Sequence, residues 1–174
     1  AVFGGATVAW MNEETSEVGS VRLTPPEGIS PVAFIPDFEL RTAAARAALP
    51  ATVPHGDASF NVARGALLAA VLSGNAQVSG GVDLHSLLME ATRDRLHQEQ
   101  RRAAMEPSLA LVDWLRGAGF AAVVSGAGPT VLSLESVGAD IRRDAAAAGW
   151  LVVPMGVAPQ GVQITRGSLS KVEF

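Results

Sequence analysis

The chain has 174 residues, 48% hydrophobic and 17% charged, with a formal net charge of −4 and a pI near 5.3. That is apolar material for one domain or one and a half, and it argues against disorder and against a basic nucleic-acid scaffold. With no cysteine, disulfides, thiolate metal sites and a Cys nucleophile are excluded. No run approaches the roughly 18 apolar residues of a spanning helix, and no basic-then-apolar leader is present. The expectation is a cytoplasmic protein without membrane or nucleic-acid partners.

In chain order, Ala6 to Trp10 and Ser20 to Leu23 read as strands joined by the polar turn "MNEETSEVG". The segment Ala1 to Trp10, with no Met and no polar lead-in, reads as a buried strand that begins mid-structure. The expectation from this is that the chain is the C-terminal part of something longer. "TPPEGIS" breaks the pattern as a linker, and Val32 to Ile35 is a buried strand stopped by Pro36. "RTAAARAALP" predicts a helix with Thr42 as N-cap and Pro50 at its end. Asp57 or Ser59 is expected to cap a helix over Phe60–Leu72 whose apolar stripe includes Leu67 and Val71. Asp83 caps the next helix, and Pro107 opens another that Gly119 closes. Strands Ala121–Val124 and Thr130–Leu134, a helix over Ala139–Ala148, and strands Leu151–Met155 and Val162–Thr165 complete the pattern. Strands joined by hairpins, with helices between, predict an α+β sandwich of the ferredoxin-like kind.

Four features bear on chemistry. "SGAGPT", Ser125 to Thr130, separates two apolar runs. Its glycines permit positive φ and leave backbone N–H groups uncovered, as an anion-binding nest requires; the plain alternative is a longer hairpin with a bulge. "RTAAAR" puts Arg41 and Arg46 at a helix start with no acidic residue. Such a start suits an incoming carboxylate or phosphate, or else Arg46 is a solvated surface residue. In "ATRDRLHQEQRR" the arginines at 93, 95, 101 and 102 offer a phosphate or carboxylate patch; the plainer expectation is a solvated helix face with Glu90, Asp94 and Glu99 pairing in register. Arg93 stands apart because it lies off the apolar stripe yet beside it. Finally, His55, His85 and His97 show no metal-ligand spacing, so no metal is assigned to this chain.

These strings resemble the GHMP small-molecule kinases, and homoserine kinases among them. "SGAGPTVLSL" resembles that family's third motif, "AVFGGATVAW" the segment after an "HPDNVA" stretch, and "RTAAARAALP" a Thr-x-x-x-Arg-x-x-Leu-Pro pattern. "FNVARGALLAAVL" and "EATRDRLHQEQR" fit in the right order, so the resemblance covers essentially the whole chain. It implies a C-terminal GHMP kinase domain over residues 29–174, preceded by strands of the N-terminal domain over 1–28. It also implies transfer of the ATP γ-phosphoryl group to the hydroxyl of L-homoserine, on the way to threonine, with Mg²⁺. Arg46 and Arg93 match positions that hold the substrate carboxylate, and Thr42 matches a hydroxyl near the reacting oxygen. Ser125, Gly126, Ala127, Gly128, Pro129 and Thr130 match the loop that borders substrate and backs the phosphate-binding loop. That phosphate loop, "PxxxGLGSSA", has no counterpart here. The expectation is that nucleotide grip and metal ligands lie on a missing N-terminal portion, that the fragment alone is inactive, and that a homodimer is possible. The alternative is a stand-alone amino-acid-binding or regulatory α+β module.

Overall fold

A computed structural model describes residues 5–161. The expected strand Val162–Thr165 lies outside the described residues. Two strands, β1 (Ala6–Met11) and β2 (Val18–Leu23), form an antiparallel pair of their own. The polar turn closes through the Asn12 side chain, which accepts from the amides of Glu14 and Thr15 at 2.9 and 3.1 Å. β1 is not the buried strand its composition suggests. Its apolar side chains are largely exposed, Trp10 by 53% although its ring lies against Gly19.

The remaining strands form one four-stranded antiparallel sheet in the order β4 (Ala122–Val124), β5 (Val131–Ser133), β3 (Val32–Ile35), β6 (Leu151–Pro154). The first strand of the fold thus lies centrally, between the third and the fourth. With helices between β3 and β4 and between β5 and β6, this is the ferredoxin-like arrangement, enlarged by extra helices in the first crossover. β3 is central because Val-Ala-Phe-Ile, bounded by Pro31 and Pro36, has no polar side chain to hydrate on either face.

Period-two alternation divides the sheet faces. Val32, Phe34, Val124 and Val131 point to one core, built with α4 (Glu106–Gly117) and α5 (Ala139–Ala147). Leu115 and Phe34 there are fully buried, and truncating Leu115 to Ala would cost about 2–5 kcal/mol. The helices α2 (His55–Leu72) and α3 (Leu84–Ala91) pack on each other around Val71 and Leu88.

Helix boundaries differ from expectation in three places. α2 starts at His55, five positions before Phe60, with Pro54 at the N-cap position. Asp57 therefore lies in its first turn, where it complements the helix dipole rather than capping. α1 spans Thr42–Ala47, and the residue at its N-cap is Arg41, whose carbonyl accepts from Ala44 and Ala45. Thr42 is the first helical residue and caps nothing. "ATRDRLHQEQRR" is not one helix: α3 ends at Ala91, and the chain turns before a 3-10 helix at Glu99–Ala104. Asp83 does cap α3, accepting from Ser86 N at 2.8 Å.

Candidate active site

A groove of about 740 Å³ runs between α2 and the second face of the sheet. Val123, Leu132 and Leu134 form its floor and Leu68 and Leu72 one wall. The floor is apolar because these positions alternate with those that face the α4/α5 core. Its polar end is made by Arg93, Asp94, Arg101, Ser125 and Gly126. Of the predicted residues, the groove brings together Arg93, Ser125 and Gly126. Thr42 and Arg46 are exposed on α1 outside its lining, and Pro129 and Thr130 line a separate pocket with Arg41.

The two glycines of the loop serve different ends. At Gly128 (φ +85°), an added Cβ would sit 2.7 Å from Met105 Sδ and 3.0 Å from Val124 Cγ1. Met105 is buried, so this glycine allows the loop to press on the core, not on a ligand. At Gly126 (φ +60°) nothing lies within 4 Å. Among the described residues the N–H groups of Gly126 and Ala127 donate to no group. The loop is braced from behind by Ser108, which donates from Oγ to the Pro129 carbonyl at 2.6 Å, and by the Gly128 N–H to Ser125 carbonyl bond at 3.0 Å. It is a braced loop with open N–H donors on one side, more than a bulged hairpin.

The turn from Thr92 to Gln98 is held by Asp94. Its carboxylate accepts from the amides of His97 and Gln98 at 2.8 and 2.7 Å, from Asn61 Nδ2 at 2.6 Å, and meets His97 Nδ1 at 2.9 Å. Burial alone would raise its pKa, but the bonds from Gln98, His97 and Asn61 outweigh that and hold it at about 2. Gln98 in turn accepts from Val124 N at 2.7 Å, tying the turn to the strand that leads into the glycine loop.

Three arginines surround Phe60 on α2: Arg64 and Arg95 lie over its ring at 4.0 and 3.9 Å, and Arg93 at 5.5 Å. Glu90 pairs with both Arg64 and Arg93, the latter at 3.2 Å. Arg93 is 51% exposed, so its ion pair is weak and its guanidinium remains accessible from the groove.

Arg46 also stands differently from expectation. Because α1 has only six residues, Arg46 lies in its last turn, where a cation is favoured by the dipole. The argument from a cationic helix start therefore fails. Among the described residues the Arg46 side chain has no hydrogen-bond or ion-pair partner. Sequence reasoning missed Arg101, Asp94, Gln98 and Asn61 as structural parts of the groove. The available signal was an Asp followed three and four residues later by free amides, which is turn-capping chemistry, inside a run with no apolar stripe.

No group of three or more His, Asp or Glu side chains gathers among the described residues. The single carboxylate of the groove, Asp94, is already fully engaged. These residues do not fit a Mg²⁺ site, which needs free carboxylate oxygens. No helix among the described residues is long and apolar enough to cross a membrane.

A family model, GHMP kinases C terminal, matches residues 68–148, from the end of α2 through the glycine loop to α5. Among named proteins the chain is similar to the homoserine kinase of Streptomyces coelicolor, 41% identical over 164 residues, 94% of this chain and 50% of that protein. It is 45% identical over 136 residues to the homoserine kinase of Clavibacter michiganensis, covering 78% of this chain and 40% of that one. The crystal structure of homoserine kinase from Cytophaga hutchinsonii matches with a TM-score of 0.72 at 20% identity, over 91% of this chain and 50% of that chain. That structure supports the fold alone. The chain spans about half the length of the curated relatives it matches.

Proposed function

We propose that the protein to which this chain belongs is a homoserine kinase: it transfers the γ-phosphoryl group of ATP to the hydroxyl of L-homoserine. The observation that carries this reading is the similarity to homoserine kinases over 94% of the chain, spanning both arginine segments and the glycine loop. In this reading Arg46 and Arg93 hold the substrate carboxylate, which suits the guanidinium fork, and Thr42 orients the hydroxyl that attacks phosphorus. The open N–H groups of Gly126 and Ala127 supply a positive lining beside the reacting groups. The new bond joins the hydroxyl oxygen to the γ-phosphorus, the bond from that phosphorus to the β–γ bridging oxygen breaks with its electron pair leaving on ADP, and the hydroxyl proton passes to solvent. ATP grip and Mg²⁺ ligands are assigned to the rest of the protein, since residues here do not fit them. Positioning and charge neutralisation dominate phosphoryl transfer, so the fragment alone would not turn over.

Residues 1–28 are assigned to the N-terminal kinase domain and 29–174 to the C-terminal one. Support comes from the separate β1–β2 sheet and its exposed apolar side chains, among them Trp10 and Val18 at 53% and 73%. A cytoplasmic location and a homodimer belong to the same reading. The test is ADP release by the full-length protein. It is expected to depend on L-homoserine, and release with mevalonate or shikimate but none with homoserine overturns the reading.

A further inference from the structure

The Arg101 side chain ties together two elements far apart in sequence, at Ala45 and Gly126. It is 8% exposed, on the 3-10 helix, and lines the groove. Nε donates to the Ala45 carbonyl in α1 at 3.1 Å, and Nη1 to the Gly126 carbonyl in the glycine loop at 3.2 Å. No carboxylate pairs with it among the described residues, whereas Arg93, Arg95 and Arg102 each face one. A buried cation spent only on two carbonyls is a poor device for stability, because its desolvation is not repaid by an ion pair. Its geometry is suited to something else. The rigid guanidinium fork fixes two acceptors at a set separation and angle. Ala45 is the neighbour of Arg46 and lies one turn from Thr42, and Gly126 carries one of the two open N–H groups.

We propose that Arg101 is a positioning residue that locks α1, with Thr42 and Arg46, against the glycine loop, so that the substrate-holding side chain and the open N–H groups keep one relative placement. Arg101 touches no reacting atom in this role. The substrate arm of its test rests on the homoserine kinase reading; the dynamic arm does not.

Two variants of the full-length protein test it. Arg101→Met keeps length and burial but removes both bonds, and Arg101→Lys keeps the charge as a point that cannot span both carbonyls. Charge-assisted bonds of this kind predict that Arg101→Met raises KM for homoserine roughly ten- to hundredfold, with KM for ATP within about twofold. Arg101→Lys is expected to recover only part of that loss. Amide hydrogen exchange in residues 42–48 and 125–130 is expected to speed up together in both variants. Wild-type KM for homoserine in Arg101→Lys overturns the bridge, because charge alone then suffices. So does a parallel rise of both KM values with a fall in melting temperature, which marks a general structural role. Should the wild-type protein not depend on homoserine at all, the substrate reading fails on its own. The exchange arm then still decides: faster exchange in both segments supports the lock, and unchanged exchange in either one removes it. If Arg101→Met does not fold, Arg101→Gln, with one short donor, takes its place in the same assays.

Discussion

Two sets of groups around the glycine loop differ in how they are used. In the open set, the Arg46 side chain has no partner among the described residues, a Cβ added at Gly126 would meet open space, and the N–H groups of Gly126 and Ala127 donate to nothing. In the braced set, Asp94 accepts four bonds, Gln98 holds Val124, Arg101 holds two carbonyls, and Gly128 is pressed on Met105. Groups left unsatisfied at a surface cost the fold little, and groups satisfied in a half-buried wall hold it together. The contrast teaches that the groups proposed for ligand contact and the groups that hold the fold are carried by different residues, often adjacent in sequence. Gly126 and Gly128, and likewise Ala45 and Arg46, fall on opposite sides of that division.

The comparison is sharpened most by Arg46→Ala in the full-length protein. Loss of a guanidinium–carboxylate contact is expected to raise KM for homoserine about 30- to 100-fold, with stability within about 0.5 kcal/mol of wild type. Equal weakening of homoserine and ATP in steady-state kinetics would move Arg46 to the braced set. Next in size is the pair of glycines. Gly128→Ala meets both a left-handed backbone and the Met105 side chain, and is expected to lose about 2–4 kcal/mol. Gly126→Ala meets the backbone term alone and loses about 1–2 kcal/mol. Urea unfolding of both variants checks the order, and equal losses break the division between them.

Asp94 gives the most specific effect, similar in size to that of Gly126→Ala. Its folded pKa of about 2 lies below its ordinary value of 3.8. The stability it contributes is therefore present above pH 3.8 and is lost as pH falls from there through about 2. Asp94→Asn is expected to be less stable than wild type at pH 6, by about 1–2 kcal/mol for weakened charge-assisted bonds. The gap should narrow on acidification between those two values. A gap independent of pH in thermal melts would show that the carboxylate's charge does not hold the turn.

Much of this protein was legible in its sequence, and the failures have a common cause. Val-Ala-Phe-Ile between two prolines could only be a buried strand, and β3 has the predicted bounds. Asp83 before an amphipathic run caps α3 as read. The segment 92–102 was misread because charged residues at three- and four-residue spacing satisfy a helical pattern without requiring one. Asp94 instead binds the amides of its own turn, a local bond that competes with the helix. β1 was misread as buried because apolar composition reports what a segment could bury, not what covers it.

What the sequence by itself determined is most of the elements, the resemblance to the GHMP kinases, and the loop with two glycines. Those rest on local chemistry: fixed φ at proline, free φ at glycine, side-chain period along strand and helix. What the tertiary structure alone decided is which neighbour does which work. Gly128 packs against Met105 from 23 positions away, and Arg101 reaches Ala45 from 56. Contacts at such separations depend on how the sheet is ordered and where the crossover helices come to rest, and no local preference of the residues involved encodes that.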